Sequence, residues 1–251
     1  MQEVSDWVER TYQDRLKRIR YEGVRTVLSL CLAEVDSILQ NPEQTDFGNE
    51  SYFRHRDEFH ELMFWHNGRE DEVWEGLRCN RFYLNPDEYR FIVNCRRLHP
   101  FSSVVESGCG ETSVLFRRLG CEVLSIEWQQ GPWVERAAEA GARVKLVHFD
   151  VHSAEFDRGQ LESALRGQSS DLLFVDSPVG SRNRSNILES FCRYLEPRFI
   201  LIHDAYRDAR NVYRWMRTFD LKVLEYLSSW RGLLFLEKRN SSMAVDTGSR
   251  G

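Results

Sequence analysis

The stretch Val104-Val105-Glu106-Ser107-Gly108-Cys109-Gly110-Glu111-Thr112-Ser113, followed by Val123-Leu124-Ser125-Ile126-Glu127, decides how this chain is read. An apolar run ends in a carboxylate, a turn holds two glycines, an amphipathic segment follows, and a second apolar run again ends in an acid. That is the order of a βαβ unit built to bind a nucleotide. The glycines let the backbone turn tightly and approach a ligand with no Cβ in the way. Glu127 lies 19 residues beyond Gly108, where an acid that binds a ribose is expected. One carboxylate can accept from both ribose hydroxyls.

The same residues bear on the choice of nucleoside. Gly108-Cys109-Gly110-Glu111-Thr112-Ser113 also fits a degraded dinucleotide fingerprint, with Ser113 in the place of the third glycine. A pyrophosphate would rest against the helix N-terminus, and here that turn is flanked by Glu106 and Glu111, which disfavour a dianion. The two acids suit a ligand carrying an ammonium and a sulfonium, the charge pattern of S-adenosylmethionine. At this point the chain resembles the class I S-adenosylmethionine-dependent methyltransferases, whose first motif is an acid at a strand end followed by Gly-x-Gly. The plainer alternative is a glycine-containing βα turn without a ligand.

Further apolar runs fall at 143–150, 171–177 and 198–204, separated by helical-looking stretches. Strands alternating with helices predict an α/β core, a mostly parallel sheet with helices on both faces. After a helix around 208–219, Leu221–Leu227 and Leu233–Lys238 are joined by Ser-Ser-Trp-Arg-Gly, too short for a helix, which predicts a terminal hairpin. Five parallel strands closed by an antiparallel hairpin resemble the Rossmann-like class I methyltransferase sheet, whereas a dinucleotide fold would continue in parallel. The resemblance covers about 102–238.

Residues 1–100 show no convincing strand alternation and read as a helical extension or cap, ahead of a methyltransferase-like domain over 101–239 and a flexible tail over 240–251. Apolar positions in Thr26–Leu39 fall mainly along one helical face. Asn85-Pro86-Asp87-Glu88 looks like a helix start, with Asn85 as cap, Pro86 in the first turn and Glu88 reaching back, and the helix should stop before His99-Pro100. Asn41–Asn49 is the candidate hinge. Tyr52, Phe53, Phe59, Phe64, Trp65 and Trp74, near His55, His60 and His66, read either as a packing or oligomer face or as a sugar-stacking groove. No internal repeat is present.

With 251 residues, 41% of them hydrophobic, the chain can bury a sizeable core, and its net charge of −5 lacks a basic footprint for nucleic acid. The absence of a long apolar segment and of a signal-like start predicts a cytoplasmic protein without a membrane span. The six cysteines, Cys31, Cys79, Cys95, Cys109, Cys121 and Cys192, lack Cys-x-x-Cys spacing and read as reduced thiols. Cys109, within the glycine turn, reads as packing.

Ligands of open α/β sheets bind outside the carboxyl ends of the strands, and four places stand there. Glu106, Gly108, Gly110 and Glu111 face the methionine part of the cofactor. Glu127 takes the ribose hydroxyls, and Trp128 reads equally as an adenine-packing indole or a core aromatic. Asp150, in His148-Phe149-Asp150-Val151-His152, follows the third strand on the resemblance and either accepts from the adenine amine or is a solvated loop acid.

The fourth place holds Asp176-Ser177-Pro178-Val179-Gly180 and His203-Asp204-Ala205-Tyr206-Arg207. Methyl transfer is an in-line displacement at a sulfonium, so the protein must align and deprotonate the acceptor. His203, Asp204 and Asp176 are the catalytic candidates. Neighbouring residues of a strand point to opposite faces, so His203 and Asp204 serve one site only if the strand has ended. The Asp176 stretch is similar to the Asp-Gly-Pro-x-Gly of sugar and polysaccharide methyltransferases, with Ser177 in place of the usual glycine. His203-Asp204-Ala205-Tyr206-Arg207 is similar to the His-Asp-x-x-Arg of glycan-modifying members. The resemblance therefore implies O-methylation of a polar, glycan-related hydroxyl, with S-adenosylhomocysteine as product. Arg182, Arg184, Arg207 and Arg210 are candidate clamps for an anionic acceptor. A second reading gives Asp176 and Asp204 to a Mg²⁺, as in catechol-type O-methyltransferases, but Ala205 stands where a third oxygen ligand is expected, so no metal site is assigned. A third makes the protein a cofactor-binding scaffold without turnover. A homo-oligomer is compatible with all three.

Overall fold

The computed structural model describes residues 72–74, 76–79, 84, 86–178, 182–205, 208–227 and 232–239. A short hairpin, β1 (Glu72–Trp74) and β2 (Leu77–Cys79), precedes helix α1 (Pro86–Leu98). Then come β3 (Ser103–Ser107), α2 (Glu111–Arg118), β4 (Glu122–Glu127), α3 (Pro132–Glu139) and β5 (Arg143–Leu146). A second small hairpin, β6 (Phe149–Asp150) and β7 (Glu155–Phe156), leads to α4 (Arg158–Leu165), β8 (Leu172–Val175), α5 (Ile187–Cys192) and β9 (Phe199–His203). The described chain closes with α6 (Ala209–Thr218), β10 (Leu221–Leu227) and β11 (Leu233–Lys238).

The main sheet has seven strands in the order β10-β11-β9-β8-β3-β4-β5. Strands β5, β4, β3, β8 and β9 pair in parallel, and β11 runs antiparallel to both β9 and β10. The predicted α/β class, the five parallel strands and the terminal hairpin are all present, and β11 is inserted between β9 and β10. Strand order reverses between β3 and β8, which makes that gap the switch point where a crevice opens at the carboxyl ends.

Alternation along the strands fills both faces of the sheet. Val105, Leu124, Ile126, Leu173, Val175, Ile200, Ile202, Leu234 and Leu236 point to one side, where Leu161, Leu165, Leu188, Phe191, Val212 and Trp215 cover them from α4, α5 and α6. Val104, Val123, Leu172, Phe174, Phe199, Leu201, Leu233 and Phe235 point to the other, against Tyr89, Ile92 and Cys95 of α1, Val114, Leu115 and Phe116 of α2, and Ala137 of α3. Helices on both faces explain why β8 (Leu172–Val175) is apolar at every position.

Two differences from the sequence reading have local causes. β1 and β2 lie inside a stretch read as helical; each strand has three residues, too few to show alternation, and the turn between them contains Gly76 at φ +77°. The apolar run 143–150 is not one strand. β5 is an edge strand that stops at Leu146, and Phe149 then turns into the core to pair with Phe156. Helix α1 stops at Leu98, ahead of His99-Pro100 as predicted. The expected Thr26–Leu39 helix, the 41–49 hinge, the aromatic and histidine stretch from 52 to 66, the cap Asn85, Arg207 and the tail lie outside the described residues.

Candidate active site

Parallel register gathers the site. Ser107 pairs with Ile126 and with Val175, and Val175 pairs with Ile202. The next residue of each strand, Gly108, Glu127, Asp176 and His203, therefore stands in one row along the carboxyl edge, on both sides of the switch point.

On the β3–β4 side the glycine turn is packed from within. Gly108 has φ +103°, and a Cβ there would lie 2.7 Å from Ser177 Cβ. Ser177 is held on the turn by its amide donating to Ser107 O at 2.7 Å and by Ser107 Oγ donating to Ser177 O at 2.6 Å. Glycine at 108 thus accommodates the β8 loop itself. Gly110 is the N-cap of α2, at φ 147°.

Glu106 is fully buried, and its carboxylate accepts from Ser113 Oγ, from Ser125 Oγ at 2.5 Å and from Thr112 Oγ1 at 3.2 Å. Burial pushes its pKa up to about 7 against those three hydroxyls, which pull it down. Glu111 is buried too and bonds Arg136 Nε at 3.2 Å. The two acids flank the turn as the sequence suggested, each already engaged by the protein.

Glu127 ends β4 almost fully buried. Its Oε1 accepts the amides of Trp128 at 2.7 Å and Gln129 at 3.1 Å, and Oε2 faces Cys109 Sγ at 3.7 Å. Burial raises the Glu127 carboxyl, opposed by those amides. Burial likewise pushes the Cys109 thiol up, with Glu127 and Glu106 adding to it, so the sulfur stays protonated and unreactive, in keeping with a packing role. A thiol is a weak donor, which leaves Oε2 with acceptor capacity for a ligand hydroxyl.

Trp128 packs on the core, edge-on to Phe149 with centroids 5.6 Å apart. Asp150 is not at the end of a parallel strand; it opens the β6–β7 turn and accepts from His152 N at 2.8 Å and Ser153 Oγ at 3.0 Å.

The β8–β9 side is an ion network. Asp176 Oδ1 lies 2.5 Å from His203 Nδ1. His203 is 2% exposed, while the Asp176 side chain is 36% exposed. The carboxylate is therefore the group that meets solvent, and the imidazole stands behind it. Asp204 takes φ +58°, so the chain turns at the end of β9 and brings Asp204 Oδ2 to 3.9 Å from His203 Nδ1. This backbone reversal resolves the facing problem posed by adjacent strand residues.

Arg184, 1% exposed, ties the network together. Its Nε donates to Pro178 O at 2.9 Å, and Nη1 donates to His203 O at 2.8 Å and to Asp208 Oδ2 at 2.9 Å. Nη2 lies 3.4 Å from Asp204 Oδ2 and 3.6 Å from Asp176 Oδ1. The sequence reading had Arg184 clamping the acceptor; the structure buries it as the internal counter-ion of three aspartates. Arg182 is exposed and donates to His152 O at 3.4 Å. The peptide Ser177-Pro178 is cis.

Burial by itself lowers the His203 pKa, but Asp204 and Asp176 overcome it and raise the ring to about 9. Burial raises Asp176, yet the His203 charge and hydrogen bond, with Arg184, hold its carboxyl below the ordinary value. The buried His203 ring therefore holds its proton more tightly than an ordinary histidine, and Asp176 is the member of the pair that meets solvent. Glu88 went unnoticed in the sequence as a site residue. It is fully buried on α1 with Oε2 3.8 Å from His203 Nε2.

Donor atoms of Asp176, His203 and Asp204 lie within 4.8 Å of one another. The Arg184 guanidinium already sits against both carboxylates, which disfavours a divalent cation between them.

The strand order is that of a Rossmann-like mixed sheet closed by an antiparallel hairpin. Among solved structures the chain is similar to a methyltransferase from Geobacter sulfurreducens, with 18% identity, 72% of this chain and 87% of that one covered, and a TM-score of 0.46. It is also similar to the ribosomal protein L11 methylase of Lactobacillus delbrueckii subsp. bulgaricus, at 11% identity, 70% and 92% coverage and a TM-score of 0.46. A third is the M1A22 tRNA methyltransferase TrmK of B. subtilis, at 12%, 60% and 65% coverage and 0.42. No protein-family model and no curated protein matches the sequence. Among the described residues no helix is long and apolar enough to cross a membrane.

Proposed function

We propose that the protein is an S-adenosylmethionine-dependent O-methyltransferase in which Asp176, backed by His203, takes the proton of a hydroxyl acceptor. The observation that carries this reading is the row Gly108, Glu127, Asp176 and His203 across the switch point, which sets a ribose-type carboxylate beside a solvent-facing, oriented base. The cofactor supplies an electrophilic methyl group on a sulfonium. Glu127 holds the ribose hydroxyls through Oε2, while its Oε1 stays fixed by two backbone amides. Glu106 and Glu111 flank the turn on the side of the ammonium end, and Trp128 with Phe149 lines the adenine side.

Asp176 has Oδ1 engaged by His203 and Arg184 and presents Oδ2 to the acceptor. The fixed imidazolium stops the carboxylate from rotating, so the base meets the acceptor in one orientation. The acceptor class, a polar glycan-related hydroxyl, stands on the sequence phrases around Asp176 and His203, with Arg182 at the exposed rim as its contact. We place the protein in the cytoplasm, with 101–239 as the catalytic unit.

Calorimetric titration with S-adenosylmethionine, S-adenosylhomocysteine and NAD tests the reading. Adenosyl-ligand binding that is lost in Glu127→Ala is the expected result; NAD binding, or no adenosyl binding, overturns it. An acceptor screen then compares glycans, small phenols, tRNA and ribosomal protein, with and without EDTA. Turnover that survives EDTA is expected.

A further inference from the structure

We infer that Glu88 is a positioning residue of this reaction: with His203 and Asp176 it forms a buried acid–imidazole–acid chain that sets how strongly Asp176 takes a proton. This rests on the methyltransferase reading above and adds to it a residue on the helix before the first main-sheet strand.

Position comes first. On α1, Tyr89, Ile92 and Cys95 enter the core beneath the sheet, and Glu88 is as buried as they are. A carboxylate in such surroundings costs several kcal/mol unless a charge or donor meets it. Among the groups that face it is His203 Nε2, 3.8 Å from Oε2. That nitrogen is itself buried and makes no hydrogen bond among the described residues, whereas Nδ1 on the other side of the ring is 2.5 Å from Asp176 Oδ1. The imidazole thus has Glu88, sealed in the core, at Nε2, and Asp176, open to the crevice, at Nδ1, with Asp204 Oδ2 farther from Nδ1 at 3.9 Å. Among the described residues Asp204 and Arg184 also lie near it, with Glu106 adding repulsion to Asp176.

A single acid at Nδ1 would be self-defeating. A carboxylate locked to a permanent imidazolium is already satisfied and takes a further proton poorly. The second acid removes that obstacle. As the acceptor O–H bond breaks and its proton forms an O–H bond on Asp176 Oδ2, the Nε2–H bond of His203 breaks and that proton forms an O–H bond on Glu88. The ring becomes neutral, keeps its Nδ1–H toward Asp176 and no longer opposes the new proton there. After methyl transfer Asp176 releases its proton to solvent, and Glu88 returns the other to Nε2. The inner step needs the 3.8 Å gap to close by about 1 Å, to ordinary N–H···O length. It calls for no other co-reactant.

The test is nuclear magnetic resonance on the full chain labelled with ¹⁵N-histidine and ¹³C-carboxyl glutamate and aspartate. His203→Gln assigns one ring among the seven histidines. In the unsubstituted protein, His203 Nε2 and Glu88 Cδ should change together with a common midpoint. In Glu88→Gln the proton affinity of His203 should fall roughly tenfold or more, one pH unit, while affinity for S-adenosylhomocysteine stays unchanged. Separate midpoints, or an unmoved His203 in Glu88→Gln, would overturn the proposal. Should Glu88→Gln fail to fold, the common midpoint in the unsubstituted protein decides alone. S-adenosylhomocysteine is titrated into the same samples. No binding by the unsubstituted protein would overturn the reaction itself and Glu88's part in it; binding with separate midpoints would overturn Glu88 only.

Discussion

Around Glu127 the chain satisfies its charge with its nearest neighbours: the carboxylate takes the amides one and two residues further on. Around Asp176 the partners are remote in sequence. His203 is 27 residues away, and Arg184 reaches 20 and 24 residues ahead to Asp204 and Asp208. The two sides of one crevice are thus a local turn and a long-range buried network. A local turn can be changed with little effect on the rest of the molecule, and its loss is read in ligand affinity. The network is part of the core between strands, so its loss is read first in stability. Buried charges left unpaired are far costlier than missing surface contacts.

The largest effect expected is on the network side. Arg184→Met removes a buried guanidinium from Asp204 and Asp208 and should cost about 3–5 kcal/mol in denaturant unfolding. Arg184→Lys, which keeps charge but not the planar fork, should fall between. A loss below about 1 kcal/mol in Arg184→Met would erase the contrast between the two sides.

Next comes pH. The His203 ring is raised from its ordinary 6.5 to about 9, so its contribution to stability is complete below pH 6.5 and is lost as pH rises through 9. The loss should be on the order of 3 kcal/mol. Unfolding curves from pH 6 to 10 should show this decline, and His203→Gln should flatten it.

On the turn side, Glu127→Ala should leave unfolding within about 1 kcal/mol of the parent yet weaken S-adenosylhomocysteine roughly 10- to 100-fold, the worth of a charged hydrogen-bond pair. Calorimetry and denaturation on one preparation separate the two effects. The smallest change belongs to Arg182→Ala. This exposed residue should shift stability by no more than about 0.5 kcal/mol, so any larger effect should appear only as a raised KM for an anionic acceptor.

The same division governs how much the sequence discloses. Turn chemistry is local: Gly108 and Gly110 announce the bend, and Glu127 closes the unit at the expected distance. The hairpin of Leu221–Leu227 and Leu233–Lys238 is likewise legible, because two apolar runs with a five-residue link have few other ways to pair. The network is not local. Nothing in Arg182-Asn183-Arg184 says that one arginine is exposed and the other sealed, since that follows from where the β8 loop lands on the end of β9. His203 was legible as a site residue but not as a cation, because its charge is set by acids that only the fold brings near. Glu88 did leave a signal. Positions 88, 92 and 95 share one helical face, and an acid on a stripe with Ile92 and Cys95 has to be partnered in the core. The same residue also fits the helix-start pattern Asn85-Pro86-Asp87-Glu88, so its sequence context is ambiguous.

The close packing of Ser177 on Gly108 also constrains how relatives of this protein can diverge. The two residues share one small volume, so any side chain at 108 would meet the Cβ that every residue except glycine carries at 177. The glycine turn after β3 and the loop after β8 must then vary as a matched pair.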